Sequence, residues 1–235
     1  MKRARRDLPG VTLVRRFDTH RLIPSKYSED DSSVLAAIAD DDAHLRDIFD
    51  LDNATNDRLQ AENNLLLLPG IGLDELVFRV PHFRIVNAAF CHAHPLGSRF
   101  NGPDRGAWYA GFGLATAQAE VAFRKSIELA EIGWFDEVVI YNDYLADFSA
   151  SFHDLRKDKR FTGCLAARSY VASQELARRL LNEGSLGVIY PSVRRKGGTC
   201  VACFRPALVM NVRKAATYRF RWDGQPTPAI DRLSS

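Results

Sequence analysis

Three short segments combine residue types that could act on a phosphorylated sugar. The first is Gly97-Ser98-Arg99-Phe100-Asn101-Gly102-Pro103, followed by Arg105-Gly106-Ala107-Trp108-Tyr109. A guanidinium donates in a planar fork to phosphate oxygens, so Arg99 in a glycine-containing loop suits a pyrophosphate clamp. A surface hairpin with a solvated arginine accounts for the same residues. The Walker pattern and the Rossmann GxGxxG are both absent. The second segment holds Glu120, set among Ala117, Ala119, Val121, Ala122 and Phe123. A carboxylate there could bond ribose hydroxyls and face an oxocarbenium-like transition state. It could equally form an i,i+4 pair with Arg124, worth about 0.3–0.5 kcal/mol at a surface. In the third, the apolar run Leu186-Gly187-Val188-Ile189-Tyr190 ends at Pro191, with Ser192, Val193, Arg194 and Arg195 just beyond. There is no GxSxG elbow and no histidine after His153. Ser192 therefore reads as a hydrogen-bond donor to phosphate or ribose, not as a nucleophile.

Other chemistry-bearing residues are weaker candidates. His92 and His94 beside Cys91 could share a face of a strand and chelate a metal, but no further Cys/His pair is spaced to complete the site. Cys200-Val-Ala-Cys203 has CxxC spacing within an apolar run, which favours buried thiols over zinc or redox chemistry. The triplet Asp40-Asp41-Asp42 suits a solvated turn joining two helices better than a cation site. No metal is expected.

Composition bounds the function classes. The 235 residues are 46% hydrophobic and 26% charged, as in an ordinary globular protein with enough core to dispense with disulfides. Its 32 basic and 29 acidic residues leave a net charge of +3, too balanced for a nucleic-acid footprint. The dense basic run, Lys2, Arg3, Arg5 and Arg6, reads as a solvated tail. No apolar stretch approaches the roughly 18 residues a membrane helix needs, and the basic N-terminus runs into Asp7, Pro9 and Gly10 instead of a secretory h-region. The expected location is the cytoplasm.

The elements that must position these residues alternate from about residue 78 onward. Phe83–Phe90, Ala107–Ala110, Val138–Tyr141, Leu186–Tyr190, Cys200–Arg205, Ala207–Val212 and Tyr218–Trp222 read as strands. Ala115–Glu131 and Ala166–Asn182 read as helices, the second closed by Glu183-Gly184. This pattern predicts a mixed α/β (α+β) domain over 76–235. Before it, Ser32-Ser33 cap a short helical pattern at 34–39, and Leu45, Ile48 and Phe49 mark a second helix. Residues 1–75 are therefore expected to be an N-terminal helical appendage, closed by Pro69-Gly70-Ile71-Gly72.

In order, these segments resemble the RES domain, named for Arg, Glu and Ser. The pieces that carry the likeness are Phe83-Arg84-Ile85, Gly97-Ser98-Arg99-Phe100-Asn101, Tyr109, Glu120, Pro191-Ser192-Val193-Arg194 and Phe204-Arg205-Pro206, over about 80–215. Phe100 stands where the family usually has tryptophan. The resemblance implies a fold like that of ADP-ribosyltransferase toxins. It implies a toxin neutralised by a helix-turn-helix antitoxin of the Xre type, acting by depletion of NAD. NAD would be substrate, not cofactor, with water or inorganic phosphate as acceptor; some family members instead transfer ADP-ribose to a protein. A non-enzymatic NAD- or partner-binding module is the alternative from another class. On this basis Arg84 and Arg99 are assigned to phosphates, Tyr109 to stacking on nicotinamide or ribose, and Glu120 to the ribose hydroxyls and developing cation. Asn101, Ser192 and Arg194 are assigned to substrate binding. No nucleic-acid or membrane contact is implied, and a homo-oligomer is left open.

Overall fold

The structure, a computed structural model, describes residues 8–28 and 71–234. The helical patterns expected at 34–39 and 45–51 lie outside the described residues. The architecture is mixed α/β, as the sequence pattern predicts: one seven-stranded sheet with helices packed on it.

The strands are β1 (Val11–Pro24), β2 (Trp108–Gly111), β3 (Asp136–Asp154), β4 (Gly187–Pro191), β5 (Thr199–Cys203), β6 (Met210–Asp223) and β7 (Ala229–Leu233). The α-helices among the described residues are α1 (Phe83–Cys91), α2 (Leu114–Ile132) and α3 (Val171–Asn182). Strand order is β1-β2-β5-β4-β3-β6-β7, with β1 also paired to β3. That extra pairing closes β1, β2, β5, β4 and β3 into a ring. β3 is long enough to serve two neighbours along its outer edge: Asp136–Asp147 pair with β6, while His153 and Asp154 run parallel to Val188 and Ile189 of β4.

Four elements differ from the sequence-based expectation. Residues 11–24 are not part of a helical appendage. Their branched residues form a strand that pairs with β3 from Val11↔His153 to Pro24↔Tyr141. Phe83–Cys91 is a helix, not a strand, burying Ile85, Val86 and Phe90 on one face. A short apolar run fits either period, and burial against the sheet decides between them. The helix reaching Asn182 begins at Val171, not at Ala166: the backbone at Ala166 is extended, and the carbonyls of Cys164, Ala166 and Ala167 face arginine side chains. The run Ala207–Val212 is divided, with Pro206–Leu208 in a 3-10 turn and β6 starting at Met210.

Three apolar clusters sit on this frame. α1 covers one face through Val86 and Phe90, packed with Trp108, Tyr144, Phe148, Phe152, Ile189 and Val201. α3 covers the opposite face through Leu176, Ala177 and Leu180, against Phe100, Val188, Tyr190, Cys200 and Ala202. α2 packs through Ala117 and Leu129 on Leu22, Tyr141, Phe220 and Trp222. The odd spacing of Cys200 and Cys203 along a strand sends the two thiols into different clusters, so they cannot meet as a redox or zinc pair. Gly106 is needed for close approach: its amide donates to the Phe90 carbonyl over 2.8 Å, and a Cβ there would lie 2.1 Å from the Ala89 carbonyl oxygen.

Glu75 ties the chain ahead of α1 to the two strands behind it. Arg105 donates to both carboxylate oxygens over 2.9 Å and to the Phe204 carbonyl over 2.5 Å, and Arg205 pairs with the same carboxylate. The Arg105 hydrogen bonds, reinforced by Arg205 and opposed by partial burial, hold the Glu75 carboxyl at about 2 instead of the ordinary 4.5. A depressed folded-state value means the stabilisation is complete above pH 4.5 and is lost as the pH falls toward 2. E75Q is expected to lower the urea midpoint at pH 7, with the gap from wild type closing between pH 4.5 and 2; denaturation curves across that window check it.

Candidate functional site

Glu120 lies in the second turn of α2, and Ser192 lies in the turn that follows β4. The sheet brings them together: Ser192 Oγ donates to Glu120 Oε1 over 2.6 Å. The hydroxyl oxygen also accepts the backbone N–H groups of Arg194 (3.1 Å) and Arg195 (3.0 Å). A serine hydroxyl has one proton and two lone pairs, so all of its capacity is in use. The expected donation from Ser192 to a phosphate therefore conflicts with this geometry, in which its proton holds Glu120. Cys200 Sγ approaches the same carboxylate oxygen at 3.8 Å, whereas Oε2 takes no hydrogen bond among the described residues. Arg124, one turn along from Glu120, makes no ion pair with it and instead donates to Ser98 Oγ over 3.3 Å.

The loop 97–102 folds onto β2 through Tyr109. The phenol donates to Asn101 Oδ1 over 2.7 Å and accepts the Phe100 N–H over 2.8 Å. Burial pushes this phenol well above the ordinary tyrosine range, so it stays protonated. Asn101 is buried and turns its amide N–H to the Gly102 carbonyl. Tyr109 and Asn101 thus shape the loop that carries Arg99.

Arg99 is 5% exposed. Its Nη1 donates to the carbonyls of Cys164 (3.2 Å) and Ala166 (2.9 Å), and the guanidinium lies over the Tyr170 ring at 4.8 Å. Its Nη2 is buried without a hydrogen-bond partner. Arg194 stacks on Phe123, 3.2 Å from the ring centroid, and donates to the Ala167 carbonyl. It lies within electrostatic reach of both Glu120 and Arg99. Tyr190, buried beneath, senses Glu120, Tyr109 and Arg99 together.

Arg84 does not join this cluster. It sits on α1 with its guanidinium over the neighbouring Phe83 ring, 5.6 Å from the centroid. An arginine that the sequence reading missed takes a place beside Tyr109 instead. Arg21, on β1, donates to the Tyr109 carbonyl over 3.3 Å and lies over the Trp108 ring at 4.7 Å. Its Nε is buried and unpartnered. Burial, and secondarily the Arg124 charge, lower its pKa to about 10, which leaves it cationic at neutral pH. The available signal for Arg21 was one charged residue next to the apolar pair Leu22-Ile23, and spacing alone could not connect it to residues 88 positions away.

Among the described residues, no group of three or more His, Cys, Asp or Glu side chains could hold a metal ion. His92 caps the end of α1, and His94 Nδ1 accepts the Leu96 N–H over 3.1 Å, so the two do not alternate along a strand. No helix of the described residues is long and apolar enough to cross a membrane.

Comparison with known proteins follows the same frame. No curated relative matches the chain. A solved structure similar to it is the crystal structure of the M. tuberculosis MbcT–MbcA toxin–antitoxin complex. The identity is 14%, the match covers 56% of this chain and 73% of that one, and the TM-score is 0.41. The family model of the RES domain matches residues 76–223, well over half of the sequence, with Arg99, Tyr109, Glu120 and Ser192 all inside the match and β1 outside it. The chain belongs to the RES-domain family.

Proposed function

We propose that this protein is the toxin of a toxin–antitoxin pair and depletes NAD by cleaving the bond between nicotinamide and ribose. One observation carries the reading: four guanidiniums with no carboxylate ion pair among the described residues, those of Arg21, Arg99, Arg124 and Arg194, form a linked group beside Tyr109, and Arg194 brings that group within reach of Glu120. Elsewhere Arg105, Arg156, Arg160, Arg178, Arg205 and Arg213 are each matched to an Asp or Glu. Leaving charge uncompensated beside a partly buried carboxylate suits a substrate that brings two phosphates and a ribose.

The chemistry asks little of an acid. The nicotinamide–ribose bond is activated by the pyridinium charge, and its electron pair leaves on the ring nitrogen. Glu120 Oε2 holds the ribose hydroxyls and faces the cation that develops at the anomeric carbon. Arg99, through the unmatched Nη2, and Arg21 bind the phosphates. Tyr109 and Asn101 keep the Arg99 loop in place. Water captures the sugar cation to give ADP-ribose and a proton; inorganic phosphate in its place gives a phosphorylated ADP-ribose. The partner is a helix-turn-helix antitoxin, following from the RES resemblance.

Purified protein mixed with NAD should release free nicotinamide. E120Q keeps the size and removes the charge, and kcat should fall by about 100-fold or more; nicotinamide release at the wild-type rate by E120Q would sink the assignment. S192A should lower kcat by about tenfold, the scale of one lost charge-assisted hydrogen bond. NAD labelled in the adenylate moiety distinguishes depletion from transfer, because label retained on protein marks ADP-ribosylation of a protein target.

The two assigned arginines can be separated from the excluded one. R21A and R99A each remove binding common to ground and transition states, so KM for NAD should rise by about 10- to 100-fold with kcat little changed. R84A should stay within about twofold of wild type. Steady-state kinetics of the three variants checks this, and a KM for R84A as high as that of R21A would reverse the choice.

A further inference from the structure

We propose that the Cys200 thiol is a positioning residue for Glu120, holding the carboxylate in the orientation that turns one oxygen to the protein and the other to the substrate. The inference rests on the reading of Glu120 as the substrate carboxylate.

Two donors converge on Glu120 Oε1: Ser192 Oγ at 2.6 Å and Cys200 Sγ at 3.8 Å. The Ser192 oxygen is itself held by two backbone N–H groups, so its proton has one direction to go. Cys200 is 3% exposed and is the direct cross-strand partner of Tyr190 on β4 and of Gly111 on β2. Its side-chain hydrogen bond among the described residues is the one to Glu120. A short polar link therefore runs from Cys200 through Glu120 to Ser192, with Cys200 buried beneath the face that α3 covers. Turning the carboxylate plane away from this orientation would break both donor contacts at once. Oε1 is thereby committed to the protein, and Oε2 is the oxygen left for ribose hydroxyls.

Burial and the Glu120 charge push the Cys200 thiol well up, so it stays protonated and acts as donor. A thiol also suits the site on packing grounds, because its longer bond reaches across to α2 from a strand buried among Phe100, Leu176 and Tyr190.

The test has two independent readouts. The first is the S–H stretching band of this thiol, isolated as the infrared difference between wild type and C200A. The same difference between E120A and the E120A/C200A double variant reports the thiol without its acceptor. Loss of the Glu120 contact should move the band to higher frequency, and an unmoved band overturns the proposal whatever the activity toward NAD. The second is kinetic. C200A should lower kcat by about fivefold, one hydrogen bond's worth, with KM for NAD within about twofold. C200S keeps a donor and should restore most of the lost kcat. Equal losses in C200A and C200S would assign the residue to packing and overturn the positioning role. Wild-type protein that is inert toward NAD while the band still moves would overturn the reading of Glu120 as a substrate carboxylate and leave the Cys200 contact standing.

Discussion

The ladder between β1 and β3 is the constraint on which the remaining geometry depends. β1 meets β2 at one register pair, His20↔Gly111, whereas its pairing with β3 runs nearly the full length of the strand. The ladder breaks register between Arg16 and Thr19, where Asp18 takes a positive φ of 54°. That bulge is held by Asp147, which accepts the Asp18 N–H over 2.9 Å and the Asn211 side-chain N–H over 3.0 Å. One carboxylate from the middle strand thus ties together the irregularities of its two neighbours. A bulge re-aims the strand beyond it, and here the strand beyond carries Arg21 against Tyr109. Closure of the ring also leaves β1 with no long unpaired edge on the β3 side.

Within that ring, the charge distribution at the Glu120 site is uneven. The carbonyls of Cys164 and Ala166 and the ring of Tyr170 hold Arg99 without cancelling its charge. Neutral dipoles and aromatic faces steady a guanidinium while leaving its field intact. Arg194 is treated alike, by Phe123 and the Ala167 carbonyl. A carboxylate at each of these positions would be a stronger structural partner, but it would neutralise the field that the proposed phosphate binding requires. The single acid in the group, Glu120, is held by a hydroxyl and a thiol and not by an arginine, which under the proposed function leaves its charge for a cation developing on the substrate.

The segment 164–170 links this charge pattern to the fold. Its carbonyls face the two arginines, and α3 starts only after it, at Val171. The late start of α3 and the anchoring of Arg99 go together: the extended backbone at Ala166 turns these carbonyls toward the guanidiniums and not along a helix axis.

How much was legible beforehand follows from the range of each interaction. Local patterns determined the strand–helix alternation, α2 within a residue or two of its ends, and the strands around Tyr109 and Ile189, and they singled out Glu120 and Ser192 as polar residues in apolar settings. Those features depend on neighbours a few residues away, so periodicity and turn residues reveal them. Tertiary structure alone decided that Phe83–Cys91 is helical, because a short apolar run satisfies either period until it is packed. It alone set the direction of the Ser192 proton, toward Glu120 from 72 residues away. It alone placed Arg21, and not Arg84, beside Tyr109, because strand pairing joins positions that no sequence spacing relates.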